Sequence, residues 1–523
     1  MKRKNSFFLA CLVTLLSLVL FACNASESST ETEQSSENKD TELSTEEANN
    51  EEDHHLVYAI ANDVDGLDPH RTVSASTFQV SNNIFDTLIG VTPDGELIPR
   101  LSTSWNFSED GLEWTFTIKE GVTFHNGESL SASDVVYSFE RLLSEESPRA
   151  NDYANIEEVS KEDEQTVKFT LTNQDATFVS SLAMPWTAVV PEGAGEELKS
   201  TPIGSGPYQL EKWNPQQAVV LTRFDGYHGE KKPQIQKVTM EIIPETSTLL
   251  ANLEAGQIDI GGIGGENVDQ IERNANLEVF MSPQNNVQVL AMNNEREPLN
   301  DIRVRQAISL AINKEEVITC ANWGFGEEIG SHMAPTSPYF IDLKNVLSNN
   351  VEEAKQLLEE AGYSDGFTVS LALPETFRIH VDAGQIIADQ LKQIGIDAKI
   401  EMVEWGSWLE NVYTNREYDM TIIAHTGRLD PDAMLARYQI ESGENYFNYV
   451  NEEVDSAIKT AKTVQDEQER KSHYDFVQQT LATEVPAVYI QAPYTLMAVK
   501  SEVKGLEVFP IDIIELKNIY FEK

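Results

Sequence analysis

The 523-residue sequence holds few residue types in patterns that make or break bonds. It contains no G-x-x-x-x-G-K-[ST] phosphate loop, no H-E-x-x-H or paired C-x-x-C for a metal, no G-x-S-x-G nucleophile turn and no acidic calcium loop. Gly261-Gly262-Ile263-Gly264-Gly265 follows the apolar Ile258-Asp259-Ile260, but the G-x-G-x-x-G spacing is not met, so the run reads as a flexible connector. Of the nine histidines, no two stand at the i, i+4 spacing that points two imidazoles at one ion from a helix. His54 and His55 fall in a polar stretch, and His125, within Gly121-Val122-Thr123-Phe124-His125-Asn126-Gly127, sits beside a turn whose backbone it is expected to bond. Asp430-Pro431-Asp432 brings two carboxylates close together, yet the tripeptide is a turn signal before it is an acid/base pair. A secreted hydrolase would need a nucleophile and its base, and neither is recognisable.

The charge balance narrows the partners. Lys and Arg number 38 against 86 Asp and Glu, a formal net charge of −48, which repels nucleic-acid phosphates and anionic lipid headgroups alike. Attachment to a membrane must then come from something other than charge, and the first residues supply it. Lys2, Arg3 and Lys4 precede an uncharged run from Phe7 to Ala22, short for a bilayer span of ~20 residues but suited to an export signal over 1–22. The run ends in Leu20-Phe21-Ala22-Cys23, which resembles the lipobox of bacterial lipoproteins, with Phe21 bulkier than is usual there. The resemblance implies that Cys23 is acylated and becomes the mature N-terminus. An ordinary signal with an incidental cysteine is the plainer alternative. Residues 24–55 carry nine Glu, two Asp and one Lys, with Leu43 as the only large apolar residue, too little to offset the entropy of ordering. Residues 23–55 therefore read as a lipidated, extended acidic leash. With Cys11 removed and Cys23 acylated, Cys320 is the only remaining thiol, so no internal disulfide forms and stability must come from core size. Cys320, in "VITCANW" after an amphipathic helix, reads as a buried structural thiol, with a catalytic thiol as the alternative.

The rest of the chain has no run near ~18 apolar residues and alternates helical with strand signals. Asp301 caps a helix with Val304, Ala307, Ile308, Ala311 and Ile312 on one face, and another starts near Asn350 with Val351, Ala354, Leu357, Leu358 and Ala361, ending at Gly362. Ile386, Ile387, Leu391 and Ile394 mark a third, stopped at Gly395, after which Ile396, Ala398, Ile400 and Met402 alternate as a strand does. Helix followed by strand argues an α/β fold. The β-rich runs Trp114 to Ile118 and Thr166 to Leu171 argue a smaller β-containing unit. No repeat or linker after residue 55 marks a domain boundary.

Residues 101–142, "LSTSWNFSEDGLEWTFTIKEGVTFHNGESLSASDVVYSFERL", resemble the signature stretch of the large peptide- and nickel-binding proteins of ABC importers. Ser104-Trp105, Asp110-Gly111, Gly121-Val122, Phe124-His125, Gly127, Ala132 and Asp134-Val135 stand in the expected order. The likeness continues through "GLDPH" at 66–70, "GSGPY" at 204–208, "LEAGQIDI" at 253–260, "DIRVRQAISLAINKEEVI" at 301–318, "AKQLLEEAGY" at 354–363 and "EYDM" at 417–420. It implies a periplasmic-binding-protein-like α/β fold of two hinged lobes with an extra domain on the first. Lobe I would take residues 56–85, 201–294 and 494–523, the extra domain 86–200, and lobe II 295–493. It further implies a non-enzymatic monomer without cofactor or metal, lipid-anchored on the extracytoplasmic face of the cell membrane, that closes on short peptides and passes them to an ABC permease. A nickel–chelator complex or another small anionic solute is the alternative cargo. A pheromone receptor or adhesin on the same fold is a third reading.

The resemblance also implies contacts. Val73, Ser74 and Ala75 match the segment that pairs with a peptide backbone, and Trp405 matches an aromatic wall of the pocket. His425-Thr426-Gly427-Arg428-Leu429-Asp430 matches the loop that places an Asp on the peptide ammonium, but this chain has Arg428 there. A guanidinium repels an ammonium and pairs with a carboxylate or phosphate. Three readings stay open: Asp430 substitutes as the amine anchor, the ligand presents an anion to Arg428, or Arg428 bonds Asp430 or Asp432 and shapes the loop. His425 is expected to face the cleft.

Overall fold

The computed structural model describes residues 55–522. The signal, Cys11, Cys23 and the leash up to His54 lie outside them; His55, assigned above to the leash, already belongs to the first strand. No helix among the described residues is long and apolar enough to cross a membrane.

One 12-stranded sheet runs through the molecule. Its strands are β1 (His55–Ile60), β2 (Tyr208–Asn214), β3 (Ala218–Arg223), β4 (Lys237–Ile242), β5 (Ile260–Gly262), β6 (Leu277–Pro283), β7 (Asn286–Met292), β8 (Gly326–Glu328), β9 (Phe367–Pro374), β10 (Ile396–Val403), β11 (Met420–Thr426) and β12 (Ala487–Lys500). The first half is ordered β6-β12-β5-β1-β4-β3-β2, the second β8-β12-β7-β11-β9-β10. β12, 14 residues long, belongs to both: its start pairs with β7 and its end with β5 and β6. β6 and β7 cross beside it, interrupted at Gln284 and Asn285. β7, counted above with lobe I, pairs with β11 from Asn286 to Met292, so the crossing falls at 284–285 rather than at 294.

Most helices accompany the half-sheets, with their apolar stripes buried. α1 (Ala75–Ser81) and α2 (Ala132–Leu142) precede the second half, where α3 (Ile302–Ala311), α4 (Lys314–Ala321), α5 (Val351–Glu360), α6 (Arg378–Lys392), α7 (Glu452–Thr463) and α8 (Glu467–Glu484) follow. Asp301 caps α3, its Oδ1 accepting from the Arg303 N–H at 2.9 Å, and Asn350 caps α5; such caps satisfy N–H groups that the first turn leaves unpaired. Gly362 after α5 and Gly395 after α6 take φ of +90° and +85°, which ends each helix with little steric cost. Cys320 corrects an expectation: it lies in α4, whose buried residues are Lys314, Val317, Ile318 and Ala321, and it points away from that stripe to solvent.

Between β1 and β2 an inserted four-stranded antiparallel sheet, Ser102–Phe107, Glu113–Ile118, Thr166–Leu171 and Ile156–Lys161 in that order, packs against α2. Phe116, Phe139 and Phe169 meet there edge to face. This is the β-containing unit expected from Trp114 to Ile118 and Thr166 to Leu171.

Behind the crossing the two strands are bolted together by fully buried amides. Gln491 Nε2 donates to Gln288 Oε1 at 2.7 Å, and Gln288 Nε2 donates to His380 Nδ1 of α6 at 2.9 Å. Burial pulls the His380 pKa down to about 4; His70, buried and beside the Arg141 guanidinium, also falls to about 4. An unfolded histidine titrates near ~6.5, so below that pH the unfolded chain takes up protons that these folded sites refuse. The stability they confer is complete above pH ~6.5 and lost as pH falls toward ~4. Thermal melts are expected to show a falling midpoint from pH 7 to 4.5. His380→Gln, which keeps an acceptor for Gln288 and cannot titrate, should remove up to ~3 kcal/mol of that dependence.

Candidate functional site

β1, β4 and β5 run parallel, as do β9, β10 and β11. Since β12 is antiparallel to β5 and β7 to β11, both half-sheets turn their carboxyl edges toward the crossing. Ligands of open α/β sheets collect at carboxyl edges, where strands end and loops diverge. A cavity of about 570 Å³ lies there, within the range of small-molecule sites.

On the first half the cavity is walled by the β1 end with Asn62, by Pro244 and Thr246 after β4, and by Ala75, Ser76 and Gln79 of α1. Gln284, Asn285 and Asn286 of the crossing, Thr495 and Met497 of β12, and Thr426 at the end of β11 form its floor and far side. The segment 506–514 closes the remaining flank. Its Phe509, Ile511 and Ile513 are buried in the core of the inserted domain, while the exposed Asp512 accepts from Gln79 Nε2 at 2.9 Å. Glu507 and Asp512 are the only charged residues of the lining. The rest is apolar or amide and hydroxyl, and Asn286 Oδ1 is buried without a hydrogen-bond partner. Burial, followed by the Asp512 charge, pushes the Tyr58 phenol well above its usual range, so it stays protonated.

The loop before α1 is pinned by the "GLDPH" residues. Arg141 of α2 donates to Asp68 at 2.7 Å and to His70 Nδ1 at 2.9 Å, and His70 Nε2 donates to the Ala188 carbonyl at 2.9 Å. That bonding sets the neutral His70 tautomer. Asp65 accepts from Thr72 and Thr77 at 2.8 and 2.7 Å. The loop therefore reaches Val73 to Ala75 in one conformation.

The expected contact residues divide. Ala75 and Thr426 line the cavity. Val73 is 60% exposed and not part of the lining, and Ser74 caps α1 through its hydroxyl. Trp405 follows β10 on the same carboxyl edge, stacked on Trp408 at 5.1 Å and edge-on to Phe377 at 5.0 Å, but it is not part of the cavity wall. Gly427 packs on the crossing: its N–H bonds the Asn285 carbonyl, and Asn285 Nδ2 donates to the Arg428 carbonyl at 2.8 Å.

Two expectations are corrected. His425 does not face the cleft. It is buried in the second half, between Tyr446 (3.0 Å to Nε2) and His332 (3.0 Å to Nδ1), and His332 continues to the Tyr438 hydroxyl at 2.6 Å. Both ring nitrogens are thereby engaged, and burial drives both imidazoles far below the usual histidine range. Asp430 is no substitute amine anchor and no partner of Arg428, because Arg470 holds its carboxylate at 2.7 Å. Asp432 pairs with Lys462 at 3.4 Å, and burial raises its pKa to about 6. His125 bonds the backbone of Gly206 at 3.1 Å, across the fold rather than within its own turn.

Sequence reasoning missed Asn62, Gln79, Asn286 and the 506–514 segment. Only the last left a signal, the alternation of Phe509, Ile511 and Ile513 around Pro510 and Asp512. The nearest approach to a hydrolase constellation is Ser205, Asp86 and His228, bonded at 3.3 and 2.9 Å. The carboxylate stands in the middle and Ser205 is fully buried, so no base reaches the serine. Among the described residues no group of three or more His, Cys, Asp or Glu is placed to hold a metal ion.

A family model described as bacterial extracellular solute-binding proteins, family 5 Middle, matches residues 96–446. The dipeptide-binding protein of Escherichia coli is 29% identical over 510 residues, 89% of this chain and 94% of that one. The oligopeptide-binding protein AppA of Bacillus subtilis is 27% identical over 542 residues, 97% of each chain. Among solved structures, the ABC transporter-associated periplasmic binding protein DppA of Helicobacter pylori, in complex with the peptide STSA, has a TM-score of 0.74 and 28% identity over 90% of this chain and 98% of that one.

The contact of β11 with the crossing tolerates no side chain at Gly427. An added Cβ would lie 2.1 Å from the Asn285 carbonyl oxygen, so the loop or the crossing strand must move. Gly427→Ala should lower stability by ~1–3 kcal/mol, as overpacking does. Gly443→Ala, where nothing lies within 4 Å, should leave the denaturation midpoint unchanged.

Proposed function

The chain belongs to the bacterial extracellular solute-binding proteins of family 5, and we propose that it captures short peptides at the crossing of its two half-sheets and delivers them unaltered to the permease of an ABC importer. The observation that carries this reading is the cavity wall: amide side chains from both halves, with the Asn286 acceptor buried and unpaired, offer hydrogen bonds suited to a peptide backbone. Such bonds bind irrespective of side-chain identity, and a roomy wall accepts varied side chains. The names of the relatives support it, since they bind dipeptides, oligopeptides and the peptide STSA.

The mechanism follows from the crossing. With two strands joining the halves, rotation about Gln284–Asn285 and the middle of β12 opens or closes the cavity while each core moves as a unit. A ligand that touches both halves lowers the free energy of the closed form by its differential contacts, and the permease reads that form. Nothing in this cycle needs a nucleophile, and in our reading the protein releases its cargo without chemical change. In our reading it acts as a monomer, tethered outside the membrane by a lipid on Cys23.

Denaturing the purified protein and analysing the released solute by mass spectrometry should yield short peptides. A non-peptide cargo in their place, or turnover of added peptides, would overturn the reading. For the anchor, Cys23→Ser should move the protein from the membrane fraction to the medium; retention of the variant on the membrane contradicts lipidation.

A further inference from the structure

Where the loop after β11 meets the inserted domain, one indole lies against two cations. The Arg428 guanidinium, carried by the loop after β11, stands 5.2 Å from the Trp186 ring centroid, and that of Arg149, from the inserted domain, stands 4.2 Å from the same ring. Arg149 has one carboxylate, Asp152 at 3.3 Å, itself half exposed, and its Nε is buried without a partner. The Arg428 side chain makes no hydrogen bond or ion pair among the described residues, in contrast to three buried arginines. Arg305 donates to four carbonyls, and Arg141 and Arg470 pair with Asp68 and Asp430. Burial and the neighbouring Arg149 charge both work against the Arg428 cation.

Position links these cations to the cavity. Arg428 is held by Asn285, which lines it, and lies two residues after Thr426, which also lines it. Trp186 packs on Phe78 of α1 at 5.5 Å and shares a core with Phe509, Ile511 and Ile513 of the flanking segment. The guanidinia come from different bodies: Arg428 rides on the second half-sheet, Arg149 and Trp186 on the inserted domain. A second link, from the Ala176 N–H to the Lys462 carbonyl at 2.8 Å, joins the same two bodies nearby.

We infer that Arg428 and Arg149 form an oxyanion site beside Trp186, so that the solute presents a carboxylate or phosphate there and its charge is what lets the second half-sheet settle against the inserted domain. Two guanidinia brought onto one indole repel each other. An oxyanion between them accepts charge-assisted hydrogen bonds from both and turns the repulsion into attraction. Closure is then coupled to anionic cargo, and an uncharged solute of the same shape closes the protein poorly. The carboxylates Glu507 and Asp512 of the lining complete a site with charge of both signs, as a zwitterion requires.

The inference rests on the peptide reading for its choice of probes, and the test separates the two. Calorimetry on the full chain uses trialanine, its C-terminal amide, the amide of Ala-Glu-Ala, and citrate as a non-peptide anion. The wild type should bind trialanine at least about tenfold more tightly than its amide, the loss expected for a charge-assisted contact. Arg428→Gln and Arg149→Gln should each erase that acid-to-amide ratio, with Arg428→Lys intermediate and melting temperatures unchanged. Tight binding of the Ala-Glu-Ala amide would mean that the oxyanion comes from a side chain; preference for trialanine alone assigns it to the chain terminus. Citrate binding that depends on both arginines, with no peptide bound, sinks the peptide reading and leaves the site. Equal binding of acid and amide, or a ratio that survives in both variants, overturns the inference, and failure of all four probes to bind overturns both.

Discussion

Among the described residues the chain passes between the two halves of the main sheet twice. β12 passes through unbroken, while β6 and β7 run beside it with a gap at Gln284 and Asn285, and every functional feature of the molecule follows from that joint. Because β12 serves both halves, their carboxyl edges converge on the same place. The crossing residues are then at once hinge, cavity floor and scaffold for the β11 loop, which hangs from Asn285. A change in the angle between the halves is therefore a change in the site.

The polar chemistry is arranged to keep that joint stiff and its mouth receptive. Where the strands pass through the core, Gln288, Gln491 and His380 satisfy one another, as buried polar groups must if they are not to destabilise the fold. His332, His425 and their tyrosines do the same within the second half-sheet's own core. In the cavity wall Asn286 keeps an unpaired acceptor, and beside Trp186 the Arg428 guanidinium has no ionic partner among the described residues.

Much of the architecture was legible in the residues. Asp301 and Asn350 announce helices because an Asx cap followed by an apolar stripe has one inexpensive solution, and Gly362 and Gly395 end helices by taking backbone angles other residues resist. The β-rich runs Trp114 to Ile118 and Thr166 to Leu171 announce the inserted sheet for a similar reason, since strands buried on one face alternate. The site was less legible. β11 is buried on both faces, so no alternation tells which way His425 points. Asp430 finds its partner Arg470 forty residues away on α8, and Cys320 differs from its buried neighbours Val317 and Ala321 only by its angle around α4. The wall formed by 506–514 comes from a part of the chain remote from every motif, and sequence proximity cannot reveal it.

The account stands on ligand-driven rotation about the two crossing strands. Small-angle X-ray scattering on the stripped protein, before and after saturation with the peptides released from it, measures that directly. The radius of gyration is expected to fall on saturation, with the maximum dimension shortening as the halves close. Superimposable curves at saturation, with binding verified in the same sample, would contradict the account.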